Sequence, residues 1–264
     1  APERLSALTK ANLAALEKLI DYNIQNGISL FRISSDLVPF GSSLAAVLPW
    51  EAENAARLRS IREKIAASGM RVSMHPGQYT VLNSPDADVV RRAEEDLLYH
   101  ARVLNALAPG AQSKIVLHVG GKYGDAPAAV RRFADAYRRL DGDIRRRLVL
   151  ENDGSVYTIF EVLALCQELG APAVYDNLHN ALHPADPSLP NAHWIGLCAQ
   201  TWKTADGAQK IHYSQPHPVK PRGAHSDFIA IDPFLDFYHS LPAYELAIML
   251  EVKDKNLSAL KCIL

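Results

Sequence analysis

Seven short apolar runs alternate with amphipathic helical stretches along the 264-residue chain, and this order predicts an α/β fold of the TIM type, a single (β/α)8 barrel. Two further observations point the same way. The runs are apolar on both faces, as strands are in a parallel sheet covered on both sides. Their C-terminal ends concentrate His, Asp and Glu, and in such a barrel those ends meet at one mouth.

In order, the runs are SLFRIS (29–34), RVSMH (71–75), KIVLH (114–118), RLVLEN (147–152), PAVYDN (172–177), KIHYS (210–214) and AIMLEVK (247–253). Between them lie amphipathic stretches over 12–26, 51–68, 88–107 and 157–169. Three of these stop at Gly27, Gly69 and Gly170, a common helix C-terminal signal. No composition break or low-complexity linker divides the chain, so 1–264 reads as one domain. A closed barrel of this kind needs eight strands. The expectation is therefore that a first strand is missing from this sequence, with a seven-stranded barrel or an open doubly wound sheet as the alternative. Gly120-Gly121 lacks the spacing of a dinucleotide fingerprint, which argues against a Rossmann fold.

The composition, 48% apolar and 22% charged, is that of a globular protein able to bury a sizeable core. No run reaches the roughly 18 apolar residues of a membrane span, and no signal-peptide core opens the chain. Cys166, Cys198 and Cys262 form no C-x-x-C pair and read as reduced thiols of a cytoplasmic protein. A net charge of −1 gives no general basic surface. A nucleic-acid partner would have to be met by a local patch or by bound cations.

The strand ends read Ser34, His75, His118, Glu151, Asp176, His212 and Glu251. Six of the seven are His, Asp or Glu, residue types that make up about one in seven of the chain. Three imidazoles and three carboxylates crowded at one mouth would repel or strand charge, and metal ions resolve that conflict. His179, three residues after Asp176, and His225, in the loop after KIHYS, are placed to add ligands. A nitrogen and oxygen donor set without thiolate suits Mn²⁺, Zn²⁺ or Fe²⁺. The ligands suffice for two or three divalent ions, and paired ions suit in-line displacement at phosphorus. Lys210 shares the side of its strand with His212. Lys203, Lys220 and Arg222 are candidate phosphate contacts in loops flanking the last strands, whereas Arg145-Arg146-Arg147 reads as a solvated rim at the opposite face. In MHPGQY, Pro76-Gly77 reads as a turn that lifts Gln78 and Tyr79 clear of the ligands.

With these residues in hand, the chain resembles the ultraviolet damage endonucleases, relatives of the endonuclease IV barrels. The resemblance rests on FRISSDLVP, MHPGQYTVLNSP, LVLENDG, YDNLHN, KIHYSQP, GAHSDFI and MLEVKDKN, in this order across nearly the whole length. It implies a barrel holding two or three divalent metals, often manganese. His75, His118 and Glu151 would hold one. Glu151, Asp176, His212 and Glu251 would hold a second, with Glu151 as bridge, and His179 and His225 would serve a third. Glu151, His212 and Lys210 are the implied catalytic residues, Lys210 as a carboxylated side chain. Gln78 and Tyr79 match a pair that probes damaged double-stranded DNA, cut immediately 5′ to ultraviolet photoproducts and at some abasic sites by a monomer. The chain departs from the pattern in lacking the family's opening Gly-Tyr strand and in placing Ser43 where a histidine is expected. A metal-dependent sugar isomerase or epimerase on the same barrel, and a non-catalytic damage-binding protein, are the alternative readings.

Overall fold

The computed structural model describes residues 2–263. Seven parallel strands lie in one sheet in chain order: β1 (Leu30–Arg32), β2 (Arg71–Met74), β3 (Lys114–His118), β4 (Leu148–Glu151), β5 (Ala173–Asp176), β6 (Gln209–Tyr213) and β7 (Leu246–Leu250). Every sequence run predicted as a strand is one. The sheet curls until Arg32 of β1 meets Glu251, just past β7, at 2.6 Å, making a nearly closed barrel. The eighth strand expected of a complete barrel is not among the described residues.

Helices wrap the outside. They are α1 (Pro2–Gln25), α2 (Trp50–Glu53), α3 (Ala55–Ser68), α4 (Ala87–Leu107), α5 (Ala126–Arg139), α6 (Gly142–Arg145), α7 (Ile159–Leu169), α8 (Asn177–Leu182), α9 (Asn191–Ala199), α10 (Ile231–His239) and α11 (Asn256–Cys262). Helix α1 begins ten residues before the amphipathic stretch that predicts it: Leu5 and Thr9 carry the inward stripe of Leu13, Leu16 and Ile20 back two further turns, and a first-turn proline suits its start. Helices α3 and α7 end at Gly69 and Gly170 with φ of 68° and 66°, a left-handed turn that glycine adopts without strain. Thr158 and Glu161 cap the start of α7 reciprocally.

The two-residue period of the strands sorts the barrel interior into layers. Counting back from the mouth by twos passes from His118 to Val116 to Lys114, from Glu151 to Val149 to Arg147, and from Asp176 to Val174. Val116, Val149 and Val174 pack together inside the barrel against Trp202, apart from the large core between strands and helices. Beneath them, buried Lys114 bonds Asp206 and, at 3.0 Å, the Arg146 carbonyl.

This lower layer corrects two sequence expectations. Arg145 and Arg146 are exposed as a rim should be, but Arg147 is fully buried. Its guanidinium donates to the carbonyls of Gly110 and Ser113 at 3.0 Å, Pro109 at 3.1 Å, and to Asn105 Oδ1 at 2.7 Å. Lys203, expected near the mouth, sits before β6 and therefore at the opposite end, where its Nζ donates to the Gly170 carbonyl at 3.2 Å. A loop that enters a strand lies at the other end of the barrel from a loop that leaves it.

Burial works against the charge on Lys114, and Asp206 opposes that effect. Asp206→Ala should strand the ammonium and cost about 3–5 kcal/mol of stability. Urea unfolding measures it; a loss under about 1 kcal/mol would show that Lys114 is held by other means.

Candidate metal centre

Six of the seven strands bring a side chain from their C-terminal ends to one place, centred on Glu151, whereas Ser34 after β1 is exposed and caps a short turn. Strand pairing sets His118 opposite Glu151 and Asp176 opposite His212. Glu151, Asp176 and His212 are wholly buried, while His75, His118, His179, Glu251 and His225 are partly open on the solvent side. Oε2 of Glu151 lies 3.0 Å from His75 Nε2 and 3.6 Å from His118 Nε2. Oε1 accepts from His212 Nδ1 at 2.7 Å and lies 3.7 Å from His179 Nδ1. The two oxygens of one carboxylate therefore face two groups of donors. In His75, His118 and Glu151, and again in Glu151, Asp176, His212 and Glu251, one ligand atom per residue lies within 4.8 Å of every other. His179 and His225 adjoin these groups, with ring centres 6.5 Å apart and His225 Nδ1 at 3.8 Å from Glu251.

The supporting contacts leave ligand atoms free for a cation. His75 Nδ1 donates to the Pro76 carbonyl at 3.1 Å and His179 Nδ1 to the Asn152 carbonyl at 2.9 Å, so in both rings Nε2 is the atom left for a ligand. Asp176 Oδ1 accepts the His179 amide at 2.7 Å at the start of α8. Asp176 Oδ2 and His118 Nδ1 are buried without any hydrogen-bond partner among the described residues. Buried polar atoms without partners are costly, and here they border a pocket of nitrogen and oxygen donors. The residues fit divalent cations.

Electrostatics say the same. Burial opposes charge on Glu151, but His212, His118 and His75 outweigh it and hold the carboxyl well below its usual range. Burial pushes Asp176 up to about 7, with Glu151 and Glu251 adding to the shift against His179. For Glu251 burial is outweighed by His212 and Arg32, and the carboxyl falls to about 2. Burial drives His118 and His212 down. Lys210, one step below His212, is pushed well below the usual lysine range by burial and by Arg32, Arg71 and Lys114.

The turn after β2 differs in one detail from its sequence reading. The Thr80 amide donates to the Gly77 carbonyl at 2.9 Å, so Gln78 and Tyr79 are themselves the corner of the turn. Both are exposed, Tyr79 by 74%. Thr80 Oγ1 ties the turn to Asp96 of α4 at 2.7 Å. Lys220 and Arg222 lie exposed in the loop after β6, Lys220 paired with Asp227 at 3.1 Å and Arg222 donating to the Leu182 carbonyl at 3.0 Å. Ser43 lies exposed beside Tyr79 in a cleft outside the two donor groups.

Sequence reasoning passed over Arg32, Ser35 and Asn152. Arg32 Nη2 forms an ion pair with Glu251 Oε1 at 2.6 Å and donates to His212 Nε2 at 3.0 Å. Arginine only donates, so the His212 proton sits on Nδ1, facing Glu151. The available signal was a lone arginine inside the apolar run SLFRIS. Asn152 clasps the Asp176 backbone at 2.8 and 3.2 Å, and Ser35 Oγ donates to the His75 carbonyl at 2.8 Å. His100 of α4 is buried and meets Ser35 Oγ at 2.9 Å.

Metal ions have to displace the protons on Asp176 and His212. Apparent Mn²⁺ affinity should therefore rise as pH climbs through the Asp176 range at about 7, with protons released below it. Calorimetry in buffers of different protonation enthalpy reads that release; an affinity flat across this range contradicts the assignment.

Residues 1–263 match the family described as UV-endonuclease UvdE. A UV DNA damage endonuclease of Clostridium perfringens is 40% identical over 262 residues, covering 99% of this chain and 63% of that protein. The chain thus spans less than two thirds of that relative. A UV DNA damage endonuclease of Bacillus cereus (strain Q1) is 32% identical over 263 residues, 99% of this chain and 82% of that one. The crystal structure of SacUVDE superposes with a TM-score of 0.92 at 34% identity, covering 99% of this chain and 87% of that one. D-psicose 3-epimerase from Clostridium cellulolyticum H10, at TM-score 0.57 and 13% identity over 90% of this chain and 79% of that one, shares the fold alone. The strand order, the residues gathered at the mouth and a match running through 1–263 lead to one conclusion: the chain belongs to the UV-endonuclease UvdE family.

Proposed function

We propose that this chain is a metal-dependent DNA repair endonuclease that hydrolyses the phosphodiester immediately 5′ to ultraviolet photoproducts, namely pyrimidine dimers and 6-4 photoproducts, with abasic sites as a secondary substrate. The observation that carries the reading is the sharing of Glu151 between two donor groups at a mouth flanked by the exposed Gln78–Tyr79 turn. Relatives named UV DNA damage endonuclease support it. The protein would act as a monomer in the cytoplasm, on double-stranded DNA.

His75, His118 and Glu151 would hold one ion, and Glu151, Asp176, His212 and Glu251 a second, with His179 and His225 at a third; manganese is the favoured metal. Bound ions supply Lewis acidity toward water and neutralise charge at the scissile phosphate. Around them the chain does the positioning. Glu151 keeps both groups in register, and Arg32 and Asn152 hold His212 and Asp176 in place. Gln78 and Tyr79 occupy the space vacated when a damaged dinucleotide leaves the stack. Damaged bases stack poorly and cost less to extrude, which supplies selectivity. Lys220 and Arg222 reach the flanking phosphates.

Lys210 fits carboxylation. Burial and the neighbouring Arg32, Arg71 and Lys114 favour the neutral amine, which would attack the carbon of CO₂ and release one proton to solvent, leaving a carbamate anion beside those cations. Native intact-mass measurement should show one CO₂ adduct that Lys210→Met and acid treatment both abolish; an unmodified mass in native, metal-loaded protein rejects the modification.

Irradiated supercoiled plasmid should be nicked by the Mn²⁺-loaded protein and not after chelation. Gln78→Ala with Tyr79→Ala should keep the metal and lose about tenfold to a hundredfold of lesion-specific nicking. Isomerisation of keto sugars without nicking, under any divalent metal, would sink the endonuclease reading.

A further inference from the structure

The loop that leaves β1 contains VPFGSSLAAVL (38–48), an apolar segment that buries only part of itself. Val38 and Ala45 face the core with 1% and 0% of their surface exposed, whereas Phe40, Leu44 and Val47 expose 62%, 69% and 88%. The loop is folded into consecutive tight turns, with the Ser43 and Ala45 amides donating to the Phe40 carbonyl at 3.0 and 2.9 Å and the Leu48 amide to the Ala45 carbonyl at 3.1 Å. These turns leave all three large side chains facing water, and together they make up the apolar ridge of this loop.

We propose that this ridge is a second apolar wedge of the DNA-binding surface, with Phe40 and Leu44 entering a distorted duplex beside the Gln78–Tyr79 turn. The proposal deepens the endonuclease reading above and rests on it.

Position supports this occupant. The loop departs from the mouth end of β1, next to β2, whose following turn carries Tyr79. Ser42 and Ser43, between Phe40 and Leu44 in the loop, share a cleft with Tyr79, Arg91 and Arg92, so the loop and the turn border one groove, with Phe40 and Leu44 flanking its serines in sequence. The acidic residues of that groove are engaged: Glu95 with Arg91 at 2.7 Å, and Asp96 with Thr80 at 2.7 Å. Arg92 adds exposed positive charge to the same groove, as a phosphate backbone requires.

Rigidity supports it too. Phe40 sits at φ 57°, a left-handed conformation that costs energy for a bulky residue and persists only where the surroundings impose it. Here they do. The backbone at Gly41 lies so close to Tyr99 that a Cβ would fall 2.2 Å from its ring, and Tyr99 OH accepts the Val38 amide at 3.0 Å while donating to the Ser35 carbonyl at 2.9 Å. Ser35 in turn holds the His75 carbonyl at 2.8 Å. The ridge is thus fixed relative to the metal centre by a short chain of buried bonds. A preformed apolar wedge unstacks a base step without paying for its own ordering.

The test uses a duplex bearing 2-aminopurine opposite a tetrahydrofuran abasic analogue, titrated with the Mn²⁺-loaded protein. Wild type should raise the fluorescence as the base unstacks. Phe40→Ala and Leu44→Ala should keep metal content and unfolding temperature, bind about tenfold more weakly and lose most of the signal. Phe40→Trp should restore it. Phe40→Gly relieves the left-handed strain, so it should unfold no earlier than wild type and still lose the signal, which separates a wedge from a folding defect. Full unstacking by Phe40→Ala and Phe40→Gly, with the Gln78→Ala, Tyr79→Ala protein inactive in the same assay, would overturn the wedge alone. Wild type that binds no damaged duplex would overturn the endonuclease reading with it. A wild-type dimer dissolved by Phe40→Asp would assign the ridge to a second copy of the chain and likewise overturn the wedge.

Discussion

A carboxylate with no exposed surface, Glu151, sets the terms for the rest of the barrel. Removing an anion from water is unfavourable unless opposite charge and hydrogen bonds replace the lost hydration. Here imidazoles do so from several directions: His75 and His118 at one oxygen, His212 and His179 at the other. Those histidines come from four separate segments, so the carboxylate is satisfied only when β2, β3, β6 and the start of α8 are in register with β4. The same arrangement divides the mouth into two donor groups that share one member. A single buried charge thus links the closure of the sheet to the formation of the site.

The interior below follows from that constraint. Valines separate the ligand layer from the basic layer of Lys114 and Arg147, whose charges are met by Asp206 and by a ring of carbonyls. Lys210 lies between, where burial and the nearby cations weaken its hold on its proton. Arg32 closes the gap between the two edge strands, paired with Glu251 and donating to His212. The mouth is therefore acidic, buttressed by cations, and its protons stand where metal ions would go.

Around the rim the chain turns from buried charge to exposed surface. The Gln78–Tyr79 corner is tied to α4 through Thr80 and Asp96, and the apolar ridge of 38–48 is tied to the same helix through Tyr99. Both loops are held by buried bonds and still display large side chains to solvent. A surface built to recognise a distorted polymer gains from that combination, since ordering is complete before the partner arrives.

Much of this was legible in the residues alone. Strands alternating with helices gave the barrel, and the two-residue period placed His118, Glu151, Asp176 and His212 at the ends of strands on the inward side. Those features depend on neighbours in the chain, which is why one sequence reveals them. Pairings between distant segments were not legible. Arg147 looked like part of a charged rim until the 105–113 loop wrapped it in carbonyls, and Lys203 looked like a mouth residue until the strand direction put it at the far end. Arg32 and Ser35 gave no local sign that one would join Glu251 to His212 and the other hold His75. Nor could the pattern VPFGSSLAAVL say which of its apolar residues face water, because burial is decided by what packs against a loop. Local periodicity fixed which side each residue faces; only the closing of the sheet decided which of those residues share a site.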